Sequence, residues 1–325
     1  MDAQAYSFTV EWHDRQADLI REYQLTAFLS KNSPLEVAMY DTKANRSFLK
    51  RSEMPHLQLG DFRIGSIVTI HSRQLKVTGY RDIRTEQTLG DLHAGVYLMT
   101  APAVFPKVGE LLEKVESTGL RLGKLRLVNN NGPSFALEFV GNNSVATWNS
   151  LKGSIAPNTV SEISEPQLQA LFNRSQFPCT AAFDNCTLVV VRPHAVRDGG
   201  VGMVLKEILG AGLEVSAAEM FQLDRVHATE FLEVYKGVLP YYSDLVDCMC
   251  AGPCVAFEVR GPEGLIEQVR ELAGPHDVDT ARYLRPNSFR ARLGKDNAQN
   301  GVHTTDLEED GEREVAYFFE TLLKA

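Results

Sequence analysis

The sequence predicts an α/β (α+β) protein in which a small antiparallel β domain precedes two ferredoxin-like α/β domains, the first of them truncated. Three observations predict this fold class. Short alternating strands fill the first 90 residues, strands alternate with helical patterns after residue 91, and this later region contains an internal duplication. At 325 residues, with 44% hydrophobic and 23% charged side chains, the chain is long enough for two or three domains with ordinary cores.

The first predicted domain covers residues 1–90 and consists of short strands. Turns at Asp41 to Asn45 and at Ser72 and Arg73 separate runs of alternating or β-branched residues. Six strands are predicted: SFTVEW, LTAFLS, LEVAMYD, RSFLKR, SIVTIHS and QLKVTGYRD. These residues therefore predict a small antiparallel sheet.

The remainder contains two related copies, predicted as domains at 91–183 and 184–325. VYLMTAPAVF and VGELLEKVESTGLRLGKLRL in the first copy parallel TLVVVRPHAV and VGMVLKEILGAGLEVSAAEM in the second, and Gly109 corresponds to Gly202. Each copy has a strand, a helix and two strands, followed by a further helix and strand. This order predicts a ferredoxin-like sandwich for each.

The copies differ in length at one point. Pro102 and Gly132 are 30 positions apart, whereas the corresponding Pro193 and Gly252 are 59 apart. The second copy alone contains ATEFLEVYKGVLPYYSDLVDCMC, a predicted helical hairpin, and it continues with the predicted helices LIEQVRELAG and EREVAYFFETLL. The residues between these helices, DVDTARYLRPNSFRARLGKDNAQNGVHTTD, are predicted to form a long functional loop.

Polar side chains in and around that loop suit phosphoryl transfer. A neutral histidine can attack phosphorus, guanidinium groups can absorb the oxyanion charge, and a carboxylate can fix the imidazole tautomer. From the residues alone, the alternative is an ordinary solvated surface. The side chains are Arg270, Arg290, Arg292, Asn300, His303, Thr305, Asp306 and Glu314.

These residues resemble the nucleoside diphosphate kinase family. Asn300-Gly301-Val302-His303-Thr304-Thr305-Asp306 stands where that family has Asn-x-x-His-x-Ser-Asp. The similarity extends from Cys186 to Phe319 and includes Arg-Pro-x-x-x-Arg at 285–290. The resemblance implies transfer of a γ-phosphoryl group from ATP, bound with Mg²⁺, to nucleoside diphosphates.

The resemblance also implies a role for each matching position. His303 would be the phosphorylated nucleophile, with Glu314 as its orienting partner and Thr305 as a nearby hydroxyl. The nucleotide-binding positions would be Arg192, Arg270 and Arg290 for the phosphates, Asn300 for the sugar, and Tyr241 with Leu245 for the base. The spacing of Tyr241 and Leu245 puts both on one helix face, where they could equally pack the hairpin.

Several positions depart from the family pattern. Arg192 stands in place of a lysine, Leu232 in place of a tyrosine and His276 in place of a threonine. In the first copy, the lysine, two arginines and histidine are replaced by Ala101, Asn149, Gln169 and Phe183. These departures predict a packing module in the first copy and a weakened or lost activity in the second, as in a pseudoenzyme.

The domain order resembles the axonemal members of that family, which carry an N-terminal DM-ten domain. TVEWHDRQADLIREYQL, AMYDTKANRSFLKR and IGSIVTIHSRQLKVTGYRD carry this resemblance. It implies a microtubule inner protein of the doublet microtubules in a cilium or flagellum, located in the cytoplasm and cytoskeleton, with tubulin and other axonemal proteins as partners. The alternative function is an active kinase. Basic residues compatible with acidic tubulin are Lys50, Arg51, Arg63, Arg73 and Arg84.

Composition argues against several other classes of protein. The net charge of −9 disfavours a nucleic acid ligand, and the absence of an 18-residue apolar run disfavours a membrane span. Five cysteines are too few and too uneven for a disulfide framework, and Cys248, Cys250 and Cys254 are interpreted as packing thiols, not metal ligands. His194 is expected in an exposed loop, with a place facing the nucleotide as the alternative.

Overall fold

The structure of this chain is a computed structural model that describes residues 3–14, 17–31, 33–90 and 94–324. It divides into two compact units, residues 1–94 with 141–143 and residues 95–140 with 144–325. Both sandwich copies thus lie in the second unit. The division into 1–90, 91–183 and 184–325 stays a prediction, and its first boundary adjoins residues 91–93, which lie outside the described residues.

The first unit contains a six-stranded antiparallel sheet, as predicted. Its order is β4-β3-β2-β1-β6-β5, and alternate side chains such as Phe8 and Val10 are buried on one face. A short helix, α1, follows the sheet. The bounds are β1 Gln4–Asp14, β2 Leu19–Leu29, β3 Glu36–Asp41, β4 Arg46–Glu53, β5 Ile67–Ile70, β6 Arg73–Tyr80 and α1 Ile83–Leu89.

Two of the basic residues expected to face an acidic partner are engaged within this unit. The Arg73 guanidinium lies 4.8 Å from the Trp12 ring centroid and 5.2 Å from that of Phe48. Arg51 forms an ion pair with Glu36 and stacks over Phe28. Arg51 and Arg73 are therefore less available for a partner than the sequence suggests.

The second unit contains one eight-stranded antiparallel sheet of order β10-β7-β9-β8-β12-β13-β11-β14. The first copy provides β7 Gly95–Thr100, α2 Val108–Glu116, β8 Arg121–Asn129, β9 Pro133–Val140, α3 Ser144–Lys152, β10 Val160–Glu162 and α4 Glu165–Leu171. The second copy provides β11 Cys186–Val191, α5 Pro193–Arg197, α6 Val201–Gly210, β12 Glu214–Phe221, α7 Arg225–Phe231, α8 Tyr242–Cys250, β13 Cys254–Arg260, α9 Leu265–Ala273, α10 Val278–Leu284, α11 Phe289–Leu293, β14 Val302–Thr304 and α12 Gly311–Ala316.

The strand order confirms the predicted ferredoxin-like fold of each copy. In both, the spatial order is fourth, first, third and second strand: β10-β7-β9-β8 and β14-β11-β13-β12. The second strands, β8 and β12, pair edge to edge, with Arg126 opposite Glu219. The duplication seen in the sequence thus produces one continuous sheet, and neither β8 nor β12 is left as an open edge.

A buried ion-pair network holds this junction. Arg126 is 1% exposed, and its Nε lies 3.5 Å from a carboxylate oxygen of Glu219. Its two terminal nitrogens donate to the carbonyl oxygens of Leu171, at 2.9 Å, and Phe177, at 2.6 Å. Arg174 donates to both Glu219 oxygens. A buried ion pair with this many hydrogen bonds is costly to break, because removing one partner leaves the other charge buried and unpaired.

Helices α2 and α6, which are equivalent in the two copies, pack closely through a pair of glycines. A Cβ at Gly109 would lie 2.3 Å from the backbone nitrogen of Lys206, and a Cβ at Gly202 would lie 2.1 Å from that of Glu113. Buried side chains of both helices, such as Leu112 and Leu205, belong to one hydrophobic core. The correspondence of Gly109 and Gly202 in the sequence therefore has a steric cause.

Glu116, at the end of α2, caps the beginning of α6. Gly200 precedes α6 and has no side chain to cap it, and Glu116 Oε2 instead accepts a hydrogen bond from Gly202 N at 2.8 Å. Burial raises the pKa of the Glu116 carboxyl to about 7, against the opposing effect of the backbone donors Gly202 and Val201. One copy thus supplies a helix cap to the other.

The helical hairpin of the second copy is confirmed, whereas the long loop is only partly irregular. α7 and α8 form the hairpin, with a 3-10 turn at Glu233–Tyr235 between them. The stretch predicted to be rich in loops contains α10, α11 and β14 and is therefore more regular than the sequence indicated. The closing helix α12 continues into a π-helical turn at Tyr317–Thr321.

Two general features concern helices and thiols. Among the helices of the described ranges, none has the length and apolar character needed to cross a membrane. None of the five cysteines forms a disulfide; Cys250 and Cys254 are buried in the core, and Cys248 is half-buried.

The α2–α6 contact predicts that Gly109→Ala destabilises the protein. The added methyl group would overlap the Lys206 backbone, which cannot rotate away, and we expect a loss of about 3 kcal/mol in the free energy of unfolding. Gly210→Ala on α6 is the matched control, since its Cβ would meet open space; it should be neutral or stabilising by up to about 1 kcal/mol. Denaturant unfolding measures both. Equal stability of the two variants would contradict the close crossing.

The Glu116 cap predicts a pH-dependent effect of Glu116→Gln. Between pH 4.5 and about 7, the native carboxyl holds a proton that the unfolded chain has released, so this group's contribution to stability falls as the pH rises. Glutamine stays neutral and can still accept from Gly202 N. We expect the free energy of unfolding of Glu116→Gln, relative to that of wild type, to increase by about 3 kcal/mol between pH 4.5 and about 7. Denaturant unfolding at several pH values measures this difference, with Glu110→Gln at an exposed position of α2 as the control. Curves of stability against pH that run parallel for wild type and Glu116→Gln would contradict the prediction.

Candidate functional site

The candidate site lies at the end of the sheet where β14 pairs with β11. His303 on β14 is opposite Val190 of β11, and Arg192 follows β11 directly. Gly301 makes the turn before β14 with a φ of +93°, and its carbonyl oxygen accepts from Arg192 N at 2.9 Å. A Cβ at this glycine would lie 2.8 Å from the Leu293 side chain. The turn at Asn300 and Gly301 thus holds His303 next to Arg192.

His303, Glu314 and Thr305 form a hydrogen-bonded triad. His303 Nε2 lies 2.8 Å from Glu314 Oε2, and the Thr305 hydroxyl donates to the same oxygen at 2.8 Å. The Thr305 hydroxyl also accepts from Leu188 N at 3.1 Å, which holds it in place. A carboxylate at Nε2 favours the neutral tautomer with the proton on Nε2. The lone pair of Nδ1, which no described residue bonds, is then available for attack on phosphorus.

Two aromatic side chains that the sequence reasoning missed surround the His303 ring. The Phe231 ring meets it edge-on at 4.8 Å between centroids, and the Tyr235 ring at 6.4 Å. The Tyr235 hydroxyl donates to an Asp306 carboxylate oxygen at 2.8 Å. Leu232, which the resemblance was expected to put at the position of the family's tyrosine, is buried in the core. The four-residue spacing of Phe231 and Tyr235 in the hairpin could have indicated that the two rings lie on one side, beside His303.

Arg192 and Arg290 are buried cations without an anionic partner. They are 2% and 8% exposed, and neither forms an ion pair with a carboxylate of the described residues. Arg192 donates to the Ala298 carbonyl at 2.8 Å, and Arg290 to the Gly274 carbonyl at 2.6 Å. The Nε atom of each is buried without a hydrogen-bond partner.

The electrostatics of these two arginines favour an anion. Burial, and after it the neighbouring Arg290, lowers the pKa of Arg192 to about 10. Burial also lowers the pKa of Arg290, although Asp306 opposes this change. Arg270 is exposed beside them and donates to the Asp306 carbonyl at 3.1 Å. The structure therefore brings all three predicted phosphate-binding arginines close to the Asp306 and His303 segment.

The expected nucleoside contacts Asn300 and Tyr241 are bridged by His276. The Tyr241 hydroxyl lies 2.8 Å from His276 Nε2, and Asn300 Nδ2 lies 3.4 Å from both Nδ1 and the carbonyl oxygen of His276. Asn300 is 0% exposed. Burial, followed by the Arg290 charge, lowers the pKa of His276 to about 4, so the ring is neutral at physiological pH.

Two sequence expectations require correction. Leu245 is 0% exposed in the hydrophobic core of the second copy, and it has no face on which a base could stack beside Tyr241. Leu245 thus packs the hairpin, which was the alternative. His194 is buried and not in an exposed loop, because Pro193 begins α5 and this helix turns the imidazole inward. Burial lowers its pKa to about 4.

The equivalent positions of the first copy carry no acid, base or cation. Ala101 precedes a 3-10 turn, and Asn149 and Gln169 are exposed on α3 and α4. Phe183 has a φ of +59°, and its backbone nitrogen donates to a Glu258 carboxylate oxygen at 2.7 Å. The first copy therefore keeps the fold without the chemistry.

The residues present fit a phosphate better than a metal ion. In the described ranges, no group of three or more His, Cys, Asp or Glu side chains could hold a metal. Mg²⁺ commonly binds through substrate phosphates and water with one or two carboxylates. A magnesium ion would thus come with the nucleotide phosphates, and the unpaired Nε atoms of Arg192 and Arg290 would face those phosphates.

Comparisons with known proteins point to one family. The family model for nucleoside diphosphate kinase matches residues 185–322. The chain is 34% identical to "Nucleoside diphosphate kinase homolog 7" of Mus musculus and of Rattus norvegicus, over 98% of this chain and 94% of each relative. A crystal structure of the Aquifex aeolicus nucleoside diphosphate kinase is 36% identical and covers 42% of this chain and 96% of its own, with a TM-score of 0.40.

Proposed function

The chain belongs to the nucleoside diphosphate kinase family, and we propose that its second copy binds a nucleoside triphosphate and accepts the γ-phosphoryl group on His303. The observation that carries this proposal is the triad of His303, Glu314 and Thr305, in which one carboxylate oxygen accepts from both neighbours at 2.8 Å. Such an arrangement leaves a nucleophilic Nδ1 and keeps the other nitrogen protonated.

The transfer would proceed by in-line displacement. Nδ1 of His303 forms a bond to the γ-phosphorus, the bond from that phosphorus to the bridging oxygen breaks, and a nucleoside diphosphate leaves with the electron pair. The proton on Nε2 remains shared with Glu314, which stabilises the positive charge that the ring gains. A second nucleoside diphosphate then takes the phosphoryl group from Nδ1, and the neutral histidine is restored.

The arginines would stabilise the charge that develops during transfer. Arg192 and Arg290 are held in place before a ligand arrives, and their buried setting strengthens an interaction with phosphate oxygens. Magnesium bound through the phosphates would neutralise part of the same charge. The arrangement of these side chains suits recognition of a polyphosphate.

Two features support slow turnover. Arg192 takes the place of the family's lysine, and its planar guanidinium is hydrogen-bonded to the Ala298 carbonyl, so it has less freedom than a compact ammonium to follow a moving phosphoryl group. His276 covers Asn300, the predicted sugar contact. We therefore propose a weakened kinase.

This proposal predicts acid-labile phosphate on His303 after incubation with γ-labelled ATP and Mg²⁺. His303→Ala should abolish labelling, and Glu314→Gln should slow it by about a hundredfold, because the ring then loses the carboxylate that stabilises its charge. Arg192→Lys should increase transfer to a nucleoside diphosphate. His227→Ala, a histidine on α7 paired with Asp224, is the matched control and should label normally. Unlabelled wild type, or equal labelling of His303→Ala, would reject the proposal.

We also propose a structural role in the ciliary or flagellar axoneme, as a microtubule inner protein of doublet microtubules that contacts tubulin and other axonemal proteins. The first copy favours this role, since it retains a complete ferredoxin-like sheet although Ala101, Asn149, Gln169 and Phe183 provide no chemistry. In the first unit, Lys50 and Arg84 are exposed cations that suit an acidic partner. In this role, the folds provide rigid contact surfaces.

The axonemal role predicts that the full chain stays with isolated axonemes through washes of increasing salt. Because the role does not need phosphoryl transfer, His303→Ala should be retained as well as wild type. Lys50→Glu combined with Arg84→Glu should be released at lower salt, since opposite charge at those positions would repel an acidic surface. Immunoblots of wash and pellet fractions measure retention. A protein released entirely by the first low-salt wash would defeat the proposal.

A further inference from the structure

The imidazole ring of His303 needs more than one contact to hold its plane. The torsion that turns an imidazole about its Cβ–Cγ bond has broad minima, so neighbouring groups decide the orientation of the ring. The contact of Nε2 with Glu314 Oε2, at 2.8 Å, restrains one atom of the ring. A second contact is needed to keep Nδ1 in one direction, because no described residue forms a hydrogen bond to that atom.

The ring of Phe231 provides this second contact. Its centroid lies 4.8 Å from that of His303 and the two planes are 71° apart, an edge-to-face arrangement within the range that aromatic pairs favour. Phe231 is the last residue of α7, so the end of a helix places a flat and rigid group against the imidazole. The Tyr235 ring is more distant, at 6.4 Å.

Two aromatic side chains hold Phe231 in turn. The Tyr317 ring stacks on it, 20° from parallel and with centroids 5.7 Å apart, and the Phe318 ring meets it edge-on at 5.0 Å. Phe318 is completely buried. The Phe231 ring thus has three aromatic neighbours, including His303, and these contacts limit its rotation.

Polar contacts fix Tyr317 against α7. The Tyr317 hydroxyl lies 3.0 Å from the carbonyl oxygen of His227 and 3.0 Å from a carboxylate oxygen of Glu230. Burial, and after it the hydrogen bond to Glu230, raises the pKa of Tyr317, so the hydroxyl keeps the proton that it donates. The Tyr317 ring therefore cannot move away from Phe231 without the loss of a hydrogen bond.

One helix supplies both supports of the His303 ring. Glu314 on α12 contacts Nε2, and Tyr317 and Phe318 follow three and four positions later, a spacing that puts side chains on the same side of a helix. The helix widens into its π-helical turn at Tyr317. Such turns are rare and frequently occur at functional sites. The π-helical turn thus begins with a side chain that supports Phe231.

We propose that Phe231 is a positioning residue for the nucleophile. Its ring, backed by Tyr317 and Phe318, fixes the plane of the His303 imidazole so that Nδ1, and not Nε2, meets the phosphoryl donor. The inference rests on the proposed function, because it concerns the same histidine. It adds that Glu314 alone does not determine which nitrogen is phosphorylated.

The first test phosphorylates the full chain with γ-labelled ATP and Mg²⁺, and ³¹P NMR at alkaline pH identifies the phosphorylated nitrogen. Wild type should carry phosphate on Nδ1 alone. Phe231→Leu, which keeps an apolar side chain without the ring, should react about tenfold more slowly and partly on Nε2. A ring that has turned over carries its proton on Nδ1 and bonds the γ-phosphorus through Nε2, while the nucleoside diphosphate leaves with the electron pair. Phe231→Tyr keeps the ring and should react on Nδ1 within about twofold of the wild-type rate.

Phe319→Leu is the matched control for loss of packing. Phe319 belongs to the same core and meets Phe221 edge-on at 5.7 Å, and within the described ranges no ring contact joins it to His303. This variant should unfold more readily but react on Nδ1 within about twofold of the wild-type rate. The inference is overturned if Phe231→Leu reacts on Nδ1 alone at the wild-type rate, or if Phe319→Leu gives the same slow and mixed reaction. Phe231→Met replaces Phe231→Leu if that variant fails to fold.

A second measurement does not require phosphorylation and so separates this inference from the proposed function. In the chain with ¹⁵N-labelled histidine and no nucleotide, ¹⁵N NMR reports which ring nitrogen is protonated, and the His303 signals are those absent from His303→Ala. Wild type should be protonated on Nε2, and Phe231→Leu should contain both tautomers. The same single tautomer in both proteins would overturn the inference. Different tautomers, with no phosphate on wild type, would reject the proposed function alone.

Discussion

The close approach of α2 and α6 is the constraint on which the second unit depends. Without a Cβ at Gly109 and Gly202, the two helices come near enough for β8 and β12 to pair and for both copies to share one core. A lone second copy would have an open strand edge at β12 and an exposed apolar helix face. The first copy thus covers a strand edge and a helix face of the second, a packing role that does not need the site residues of the second copy.

The two parts of the candidate site depend on different elements of the structure. The triad around His303 depends on β14, β11 and α12, which are packed in the core, and both of its contacts to Glu314 are 2.8 Å long. The expected sugar and base contacts, Asn300 and Tyr241, are instead held by their hydrogen bonds to His276. His276 thus bridges Tyr241 and Asn300 without a contact to the His303, Glu314 and Thr305 hydrogen bonds. The histidine triad and the expected nucleoside contacts therefore have separate structural supports.

Local patterns in the sequence were sufficient to predict much of this. Period-two alternation gave the six strands of the first unit, and the repeated order of elements gave both ferredoxin-like sheets. The family motif gave His303, Glu314 and Thr305. Features set by tertiary packing could not be obtained in this way: the burial of Leu245 and His194, the aromatic contacts of Phe231 and Tyr235, and the His276 bridge. α10 and α11 were missed because they are short, rich in arginine and separated by Pro286, and such a segment has no clear helical period.

The Glu116 cap links the beginning of a helix in the second copy to a side chain of the first copy. Helix α6 of the second copy takes a hydrogen-bond acceptor at its beginning from Glu116 of the first copy, a residue 86 positions before Gly202. A shortened chain that begins after Glu116 would still contain His303, Glu314 and the arginines Arg192, Arg270 and Arg290. Its helix α6 would begin without the Glu116 acceptor, and the apolar face that packs against α2 would be exposed. The duplicated copies therefore share a helix cap as well as a core, and removal of the first copy would change the beginning of α6 in the second.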